Sequence, residues 1–190
     1  IPLKRHRSGC GGAPPPPTLA RHITDKVGTC CWRAPETWGF ADMSRMSKQD
    51  FKSLDVFALG LIWAQLLAGE RAIKHSDKCD PPEFLLLEIL KKVDQPEDGD
   101  LEHLGFTEEM SVFIRCVLSG DMDAIRKKWE SWVSDNERKA LREEILEAEI
   151  SNIGEWINER RACFGNEPCR DLDALKLIAQ ATRFSYRQRP

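Results

Sequence analysis

The sequence lacks the features that mark secreted, membrane-spanning and zinc-binding proteins. None of its apolar runs reaches the roughly 20 residues that a bilayer requires, and its N-terminus has no apolar core of the kind that a signal peptide needs. Its seven cysteines form no CxxC pair, and Cys163 and Cys169 stand in a polar stretch without a second pair or a histidine cluster. We therefore expect free thiols, no metal site, and an intracellular location in the cytoplasm or the nucleus.

An excess of one charge is also missing. Charged residues make up 31% of the chain, yet the net charge at pH 7 is only −3. This balance provides no global attraction to nucleic acid or to an anionic membrane, so we expect neither as a partner. The 190 residues are 41% hydrophobic, which is enough for one domain with a core of its own.

Alternating strand patterns and internal repeats are absent as well, and the predicted fold class is mainly α. Residues 54–68 are apolar on nearly every side, with Ser53 as a natural N-cap and Gly69 as a stop. A helix of this kind is expected to be buried in the centre of a domain. Helical spacing also links apolar residues in five later stretches: Leu86, Ile89, Leu90 and Val93 after Pro82; Met110, Phe113, Ile114, Val117 and Leu118 after Thr107; Ile125, Trp129, Trp132 and Val133; Leu141, Ile145, Ile153, Trp156 and Ile157; and Leu172, Leu175 and Ile178.

The first 26 residues carry two local patterns and little that can be buried, so we expect a mobile loop. Residues 4–7 (KRHR) are basic and fit a nuclear-import or phosphate-binding patch, or simply a solvated loop. Residues 14–17 are four prolines, which fit a ligand for an SH3 or WW groove or a stiff spacer.

Three short motifs follow one another along the chain. Residues 27–36 read VGTCCWRAPE, residues 55–60 read DVFALG, and residues 184–190 read FSYRQRP. In this order and spacing they resemble three parts of the protein kinase catalytic domain. These parts are the end of the activation segment, the start of the central buried helix, and a late segment that ends in Arg-Pro. The resemblance covers residues 27–95 and 170–190.

The chain departs from the family pattern at several positions. Phe57 and Ala58 replace the usual Trp and Ser of the second motif, and Ser185 and Tyr186 replace the usual Asp-Pro of the third. Arg33, together with an apparent insertion after the helix at 83–93, is most similar to the CMGC group of kinases. Cys30 and Cys31 replace the usual Arg-Trp of that group.

The resemblance implies the large, C-terminal lobe of a kinase, with the chain beginning inside the activation segment and lacking the ATP-binding half. Residues 1–26 would be the activation loop, 27–106 the substrate platform and central helix, 107–168 an extra helical insert, and 169–190 the final lobe helix. A rival alignment places residues 107–121 at the late kinase helix. It puts Ile125 where the arginine of the family should stand, and Arg126 one residue too late.

The resemblance also assigns roles to particular residues. Gly28, Thr29, Trp32 and Arg33 would face the peptide substrate. Thr29 would contact the catalytic aspartate, as in kinases specific for Ser and Thr. Asp55, expected in the first turn of its helix, would hold the catalytic loop, although such a residue is often only favourable toward the helix dipole.

Glu36 follows a proline in a turn and has two interpretations. As the start of a helix it would be solvated. Buried, it would need a cation with planar, bidentate donors. The resemblance offers Arg189 for this structural pair, with Arg187 and Arg126 as alternatives. In the preceding loop, Thr24 and Thr18 are candidate phosphorylation sites or inert hydroxyls.

The implied activity of the parent protein is transfer of the γ-phosphoryl group of ATP to Ser or Thr of a protein substrate, with ATP and Mg²⁺ as cofactors. These 190 residues contain no HRD, DFG or glycine-rich loop with its lysine, so alone they are expected to bind neither ATP nor Mg²⁺ and to catalyse nothing. The alternatives are a pseudokinase scaffold and an unrelated helical interaction module. A regulatory partner would dock on 107–168, where Trp129, Trp132 and Trp156 are either anchors or core. Apolar surface near 54–68 should stay open, because a large lobe packs around its catalytic loop.

Overall fold

The computed structural model describes residues 30–38, 41–74, 82–97, 99–130 and 149–190. These residues form helices and turns, with no strand among them, so the predicted mainly α class is confirmed. The helices are α1 (Lys48–Ala68), α2 (Pro82–Lys92), α3 (Asp100–Leu104), α4 (Glu108–Ser119), α5 (Met122–Glu130), α6 (Ile153–Cys163) and α7 (Leu172–Ala181). Short 3-10 turns lie at Cys30–Trp32, Pro35–Trp38, Met43–Arg45 and Tyr186–Gln188.

The long helix α1 begins earlier than the sequence pattern predicts. Ser47 is its N-cap, and Ser47 and Asp50 form a reciprocal capping box that satisfies two backbone N–H groups at the helix start. The predicted N-cap, Ser53, is wrong: it lies in the second turn, where its hydroxyl donates to the carbonyl of Asp50. The predicted end is confirmed, since Gly69 caps α1 at φ 81°.

With 21 residues, α1 is long enough to be compared with a membrane-spanning helix. Among the described residues, it is the one helix long and apolar enough to cross a membrane, with a mean hydropathy of 1.4 and a third of its apolar window buried. The core helices of globular proteins pass the same test. Its first turns carry Lys48, Asp50 and Lys52, which is why no uninterrupted apolar run of that length is visible in the sequence.

Only one face of α1 is buried. Phe57, Leu61 and Ala64 point into the core. The opposite face carries an apolar row, here called the outer stripe, whose members are exposed by 36 to 74%: Leu59, Ile62, Trp63 and Leu66. The prediction that α1 is buried all round is therefore wrong, because its described neighbours cover one side only. The prediction of open apolar surface near 54–68 is confirmed.

The helix that is buried nearly all round is α2. Six consecutive residues from Leu85 to Leu90 are at most 1% exposed, so even its charged residue Glu88 lies inside the protein. Pro82 begins α2 as predicted. Against α2 packs α4, capped by Thr107 as predicted, with Ile114 and Val117 fully buried.

The described helices within 107–168, which are α4, α5 and α6, contribute to the same hydrophobic cluster as α1 and α2. Trp156 on α6 is 3% exposed, which makes it a core residue and removes it as a docking anchor. The side chain of Trp129 and the whole of Trp132 lie outside the described residues, as do the predicted seam residues Leu141 and Ile145.

Helix α7 approaches α1 at Gly60. A Cβ atom at this position would lie 2.7 Å from Cγ2 of Thr182 and 2.9 Å from Cβ of Ala181, distances that real Cβ contacts do not reach. Gly60 therefore permits the close packing of α1 on α7. This packing sets the position of residues 182–190, which follow α7.

Candidate functional site

Residues 30–38 form a turn that encloses Glu36. Cys31 and Ala34 are buried, and the backbone N–H and hydroxyl of Thr37 both donate to the carbonyl of Ala34, at 3.0 and 2.8 Å. These bonds close the turn around Pro35 and point Glu36 inward, where it is 1% exposed. The interpretation of Glu36 as a solvated helix start is therefore wrong.

The partner of Glu36 is Arg189. Nη1 of Arg189 lies 2.6 Å from Oε1 of Glu36, and Nη2 lies 3.0 Å from Oε2. This is the predicted bidentate pair, and its two side chains are 0% and 1% exposed. The two alternatives lie elsewhere: Arg187 sits over the ring of Tyr186 and Arg126 is exposed.

Arg189 also binds the backbone around it. Its remaining donors reach three carbonyls at 2.8 to 3.3 Å, those of Ser53, Arg183 and Phe184. All five guanidinium N–H groups are thus satisfied, which is the condition under which a buried cation is tolerated. The guanidinium also lies 4.7 Å from the ring centroid of Phe57. A single side chain therefore joins the 30–38 turn, α1 and the C-terminal segment.

Asp94, just beyond the end of α2, forms a second contact with the C-terminal segment 182–190. Its Oδ2 accepts the backbone N–H of Phe184 at 2.6 Å. The ring of Phe184 is fully buried and stacks on Phe106 at 5.9 Å. Burial raises the pKa of Asp94, while the bond from Phe184 and the nearby Arg183 oppose that rise. Phe184 therefore links Asp94 to Arg189 through its own N–H and carbonyl.

Glu88 forms a second buried contact, which fixes the chain that follows α1. Oε1 of Glu88 accepts the side chain of Lys92 at 2.8 Å and the backbone N–H of Lys74 at 3.2 Å. Lys92 also donates to the carbonyl of Ala72 at 3.3 Å. Burial raises the pKa of Glu88, and the charge of Lys92 opposes that rise. We call Glu88 and Lys92 the 72–74 clamp.

The clamp fixes the segment next to Arg71, whose guanidinium lies 5.8 Å from the centroid of the Trp32 ring. Trp32, in the 30–38 turn, is half-buried, and Arg71 is exposed. This arrangement is a cation–π contact at the protein surface. Arg33, beside Trp32, is half-buried.

The remaining predicted site residues lie apart from this cluster or outside the described residues. Gly28, Thr29, Thr18 and Thr24 lie outside them, together with the loop 1–26. Asp55 is exposed and lies in the second turn of α1, not the first. The backbone N–H groups of that turn are used within the helix, so any role of Asp55 must involve groups other than its own helix start.

Sequence reasoning missed Asp94, Glu88 and Arg71. A carboxylate inside the apolar run of α2 was the visible signal for Glu88, because a buried acid needs a cation, and Lys92 stands four residues later. Asp94 and Arg71 carry no comparable signal. Their contacts depend on how α2 and the chain after α1 pack against distant residues.

Among the described residues, no group of three or more His, Cys, Asp or Glu side chains could hold a metal ion. Four cysteines in this part of the chain form no disulfide: Cys31, Cys116, Cys163 and Cys169. Scans against protein-family models, curated proteins and solved structures found no match to this chain.

Proposed function

We propose that this chain is part of a protein kinase that transfers the γ-phosphoryl group of ATP to Ser or Thr residues of protein substrates. The single observation that carries the proposal is the buried, bidentate contact between Glu36 and Arg189. The kinase resemblance predicts this pair and gives it a structural role, and nothing local in the sequence brings the two residues together. The contact also brings the three motifs together, since Glu36 belongs to the first, Arg189 to the third, and the guanidinium lies 4.7 Å from the ring centroid of Phe57 in the second.

In this proposal the chain forms the substrate-side platform and scaffold of a large kinase lobe. Helix α1 is the central helix, and it supplies the carbonyl of Ser53 and the ring of Phe57 to Arg189. Helix α7 is the final lobe helix, and residues 107–168 are the helical insert. Trp32 and Arg33 face the peptide, while Glu36 keeps their turn in place.

The full domain would use ATP with Mg²⁺ to supply the phosphoryl group. The sequence of this chain contains none of the motifs that hold these groups in kinases, so no catalytic step is assigned to its residues. Their contribution is to bind and orient the peptide whose hydroxyl is phosphorylated.

A second candidate function is a pseudokinase or helical interaction scaffold without catalysis. The outer stripe favours it, because four apolar side chains in a row on an exposed helix face are typical of an interaction surface. Phosphoryl transfer separates the two candidates.

The test uses the full-length protein with Mg²⁺, radiolabelled ATP and a library of Ser- and Thr-containing peptides. Wild type should label Ser or Thr peptides. Thr29→Ala should lose most of this activity, and Thr29→Ser, which retains the hydroxyl, should retain it. Absence of labelling from folded wild-type protein would overturn the kinase proposal and favour the scaffold.

A further inference from the structure

We infer that Arg71 selects peptide substrates that carry an anionic side chain, a carboxylate or a phosphate, close to the residue that is phosphorylated. This inference rests on the proposed function, which places Trp32 at the peptide. Arg71 lies directly against Trp32, and it comes from a different part of the chain. No sequence motif points to Arg71.

The charge of Arg71 is not neutralised by the described part of the protein. Two arginines of α6 are occupied: Nε of Arg160 lies 3.2 Å from a carboxylate oxygen of Glu70, and Arg161 donates to two backbone carbonyls. Arg71, in contrast, forms no ion pair with any described carboxylate within 4 Å. Arg71 is an exposed residue, which leaves it within reach of an anion on a bound peptide.

The backbone at both ends of this contact is held in place. On the Arg71 side, Gly69 caps α1, Ala72 and Ile73 are buried, and the 72–74 clamp fixes the next residues. On the other side, Trp32 lies between buried Cys31 and the turn that contains Glu36. A peptide that binds beside Trp32 therefore meets a cation whose base is already ordered, which lowers the entropic cost of binding.

The chemistry of the pair fits an anion. A guanidinium presents planar donors that match a carboxylate or phosphate in a bidentate way. The indole ring covers one side of the guanidinium and limits its contact with water there. Because Arg71 is exposed, the effect should be moderate and salt-dependent: about fivefold in KM for a carboxylate and about tenfold for a phosphate, whose charge is larger.

The experiment measures kcat and KM of the full-length protein on three series of peptides. They share one phosphoacceptor and carry Gln, Glu or phosphoserine at each neighbouring position in turn. Wild type should show a lower KM for Glu and phosphoserine at one position, with kcat unchanged. Arg71→Gln should abolish this preference by raising KM for the Glu and phosphoserine peptides, while kcat and KM for the Gln peptides stay unchanged. Arg71→Lys should retain part of it, and the control Arg170→Gln, an exposed arginine on the 164–171 loop, should retain all of it.

A preference that survives Arg71→Gln would overturn the inference. So would an equal loss on the Gln peptides, because that result indicates a purely structural role for Arg71. A Glu effect without a phosphoserine effect, or the reverse, identifies which anion the site takes. Binding of the same peptides, followed by fluorescence anisotropy at low and high salt, tests the selection without catalysis. If anionic peptides bind through Arg71 but are not phosphorylated, the kinase proposal fails and the anion site stands.

Discussion

The contact between Glu36 and Arg189 makes the sharpest prediction about stability. Glu36→Ala leaves a buried guanidinium without its carboxylate, and removal of one partner from a buried pair costs about 3–5 kcal/mol of unfolding free energy. Arg189→Ala should cost at least as much, because it also removes the N–H donors that the guanidinium provides to the backbone carbonyls of Ser53, Arg183 and Phe184. Each carbonyl that is left without a hydrogen bond and that water cannot reach adds about 1–3 kcal/mol.

The double variant is the decisive measurement. Once Arg189 is absent, Glu36 is itself an unpaired buried charge, so its removal should recover part of the loss. We therefore expect the double variant to cost clearly less than the sum of the single variants. Urea unfolding of the full-length protein, followed by circular dichroism, gives the three values.

Glu167 provides the matched control, because it pairs with Arg170 at the surface, where the two side chains are 72% and 85% exposed. Glu167→Ala should change stability by less than about 1 kcal/mol, and by less still in high salt. The reasoning is refuted if the Glu36 and Arg189 effects are additive, or if either is as small as the control.

Three further perturbations test other parts of the core. Burial raises the pKa of Asp94 above its ordinary 3.8, so the ionised carboxylate destabilises the folded state. Asp94→Asn should therefore be at least as stable as wild type at pH 7, and the unfolding free energy of wild type should rise relative to that of the variant as the pH falls toward 3.8. A stability difference that is constant with pH would contradict this assignment. Gly60→Ala should destabilise by about 1–3 kcal/mol and lower Tm, because its Cβ would collide with α7. Gly154→Ala should lower Tm clearly less, because its Cβ would meet only the side-chain Oδ1 of Asn152, at 3.3 Å; equal Tm shifts would disprove the close packing of α1 on α7. Replacing Trp63 and Leu66 of the outer stripe with Gln should lower binding of the dye ANS and self-association without loss of cooperative unfolding, and unchanged dye binding would show that other surfaces dominate.

Helix starts and faces were predictable where sequence signals were local and strong. The spacing of Met110, Phe113, Ile114 and Val117 behind Thr107 gave both the extent and the buried face of α4. The start of α1 is missing from the prediction because residues 48–53 hold a single apolar residue, Phe51, and the continuous apolar pattern begins only at Leu54. The capping box of Ser47 and Asp50 was present in the sequence and marks the true start.

The burial of α1 and α2 could not be ranked from sequence. Both are strongly apolar, and composition does not say which faces the neighbouring helices cover. In the structure α2 is enclosed and α1 keeps the outer stripe exposed. Which residues surround a helix depends on tertiary packing, and only a helix with a polar face reveals its orientation in advance.

In the candidate site, the contact between two side chains was predictable from the sequence, and the contacts with backbone groups were not. A buried Glu36 requires a cation, and the kinase resemblance supplied Arg189. The three carbonyls that complete the guanidinium shell carry no sequence signal, because every residue has a carbonyl. The same limit applies to Asp94, whose partner is the backbone N–H of Phe184.

The carbonyl shell around Arg189 makes this ion pair directional. Exchange of its charges, with Arg at position 36 and Glu at position 189, would retain the net charge and the count of side chains. It would also place a carboxylate against the carbonyls of Ser53, Arg183 and Phe184, which can only accept hydrogen bonds. Sequences that adopt this fold can therefore vary many surface charges, yet they cannot transpose this pair. A lysine at 189 would not replace the arginine either, because its three N–H donors cannot form the five hydrogen bonds that the guanidinium forms.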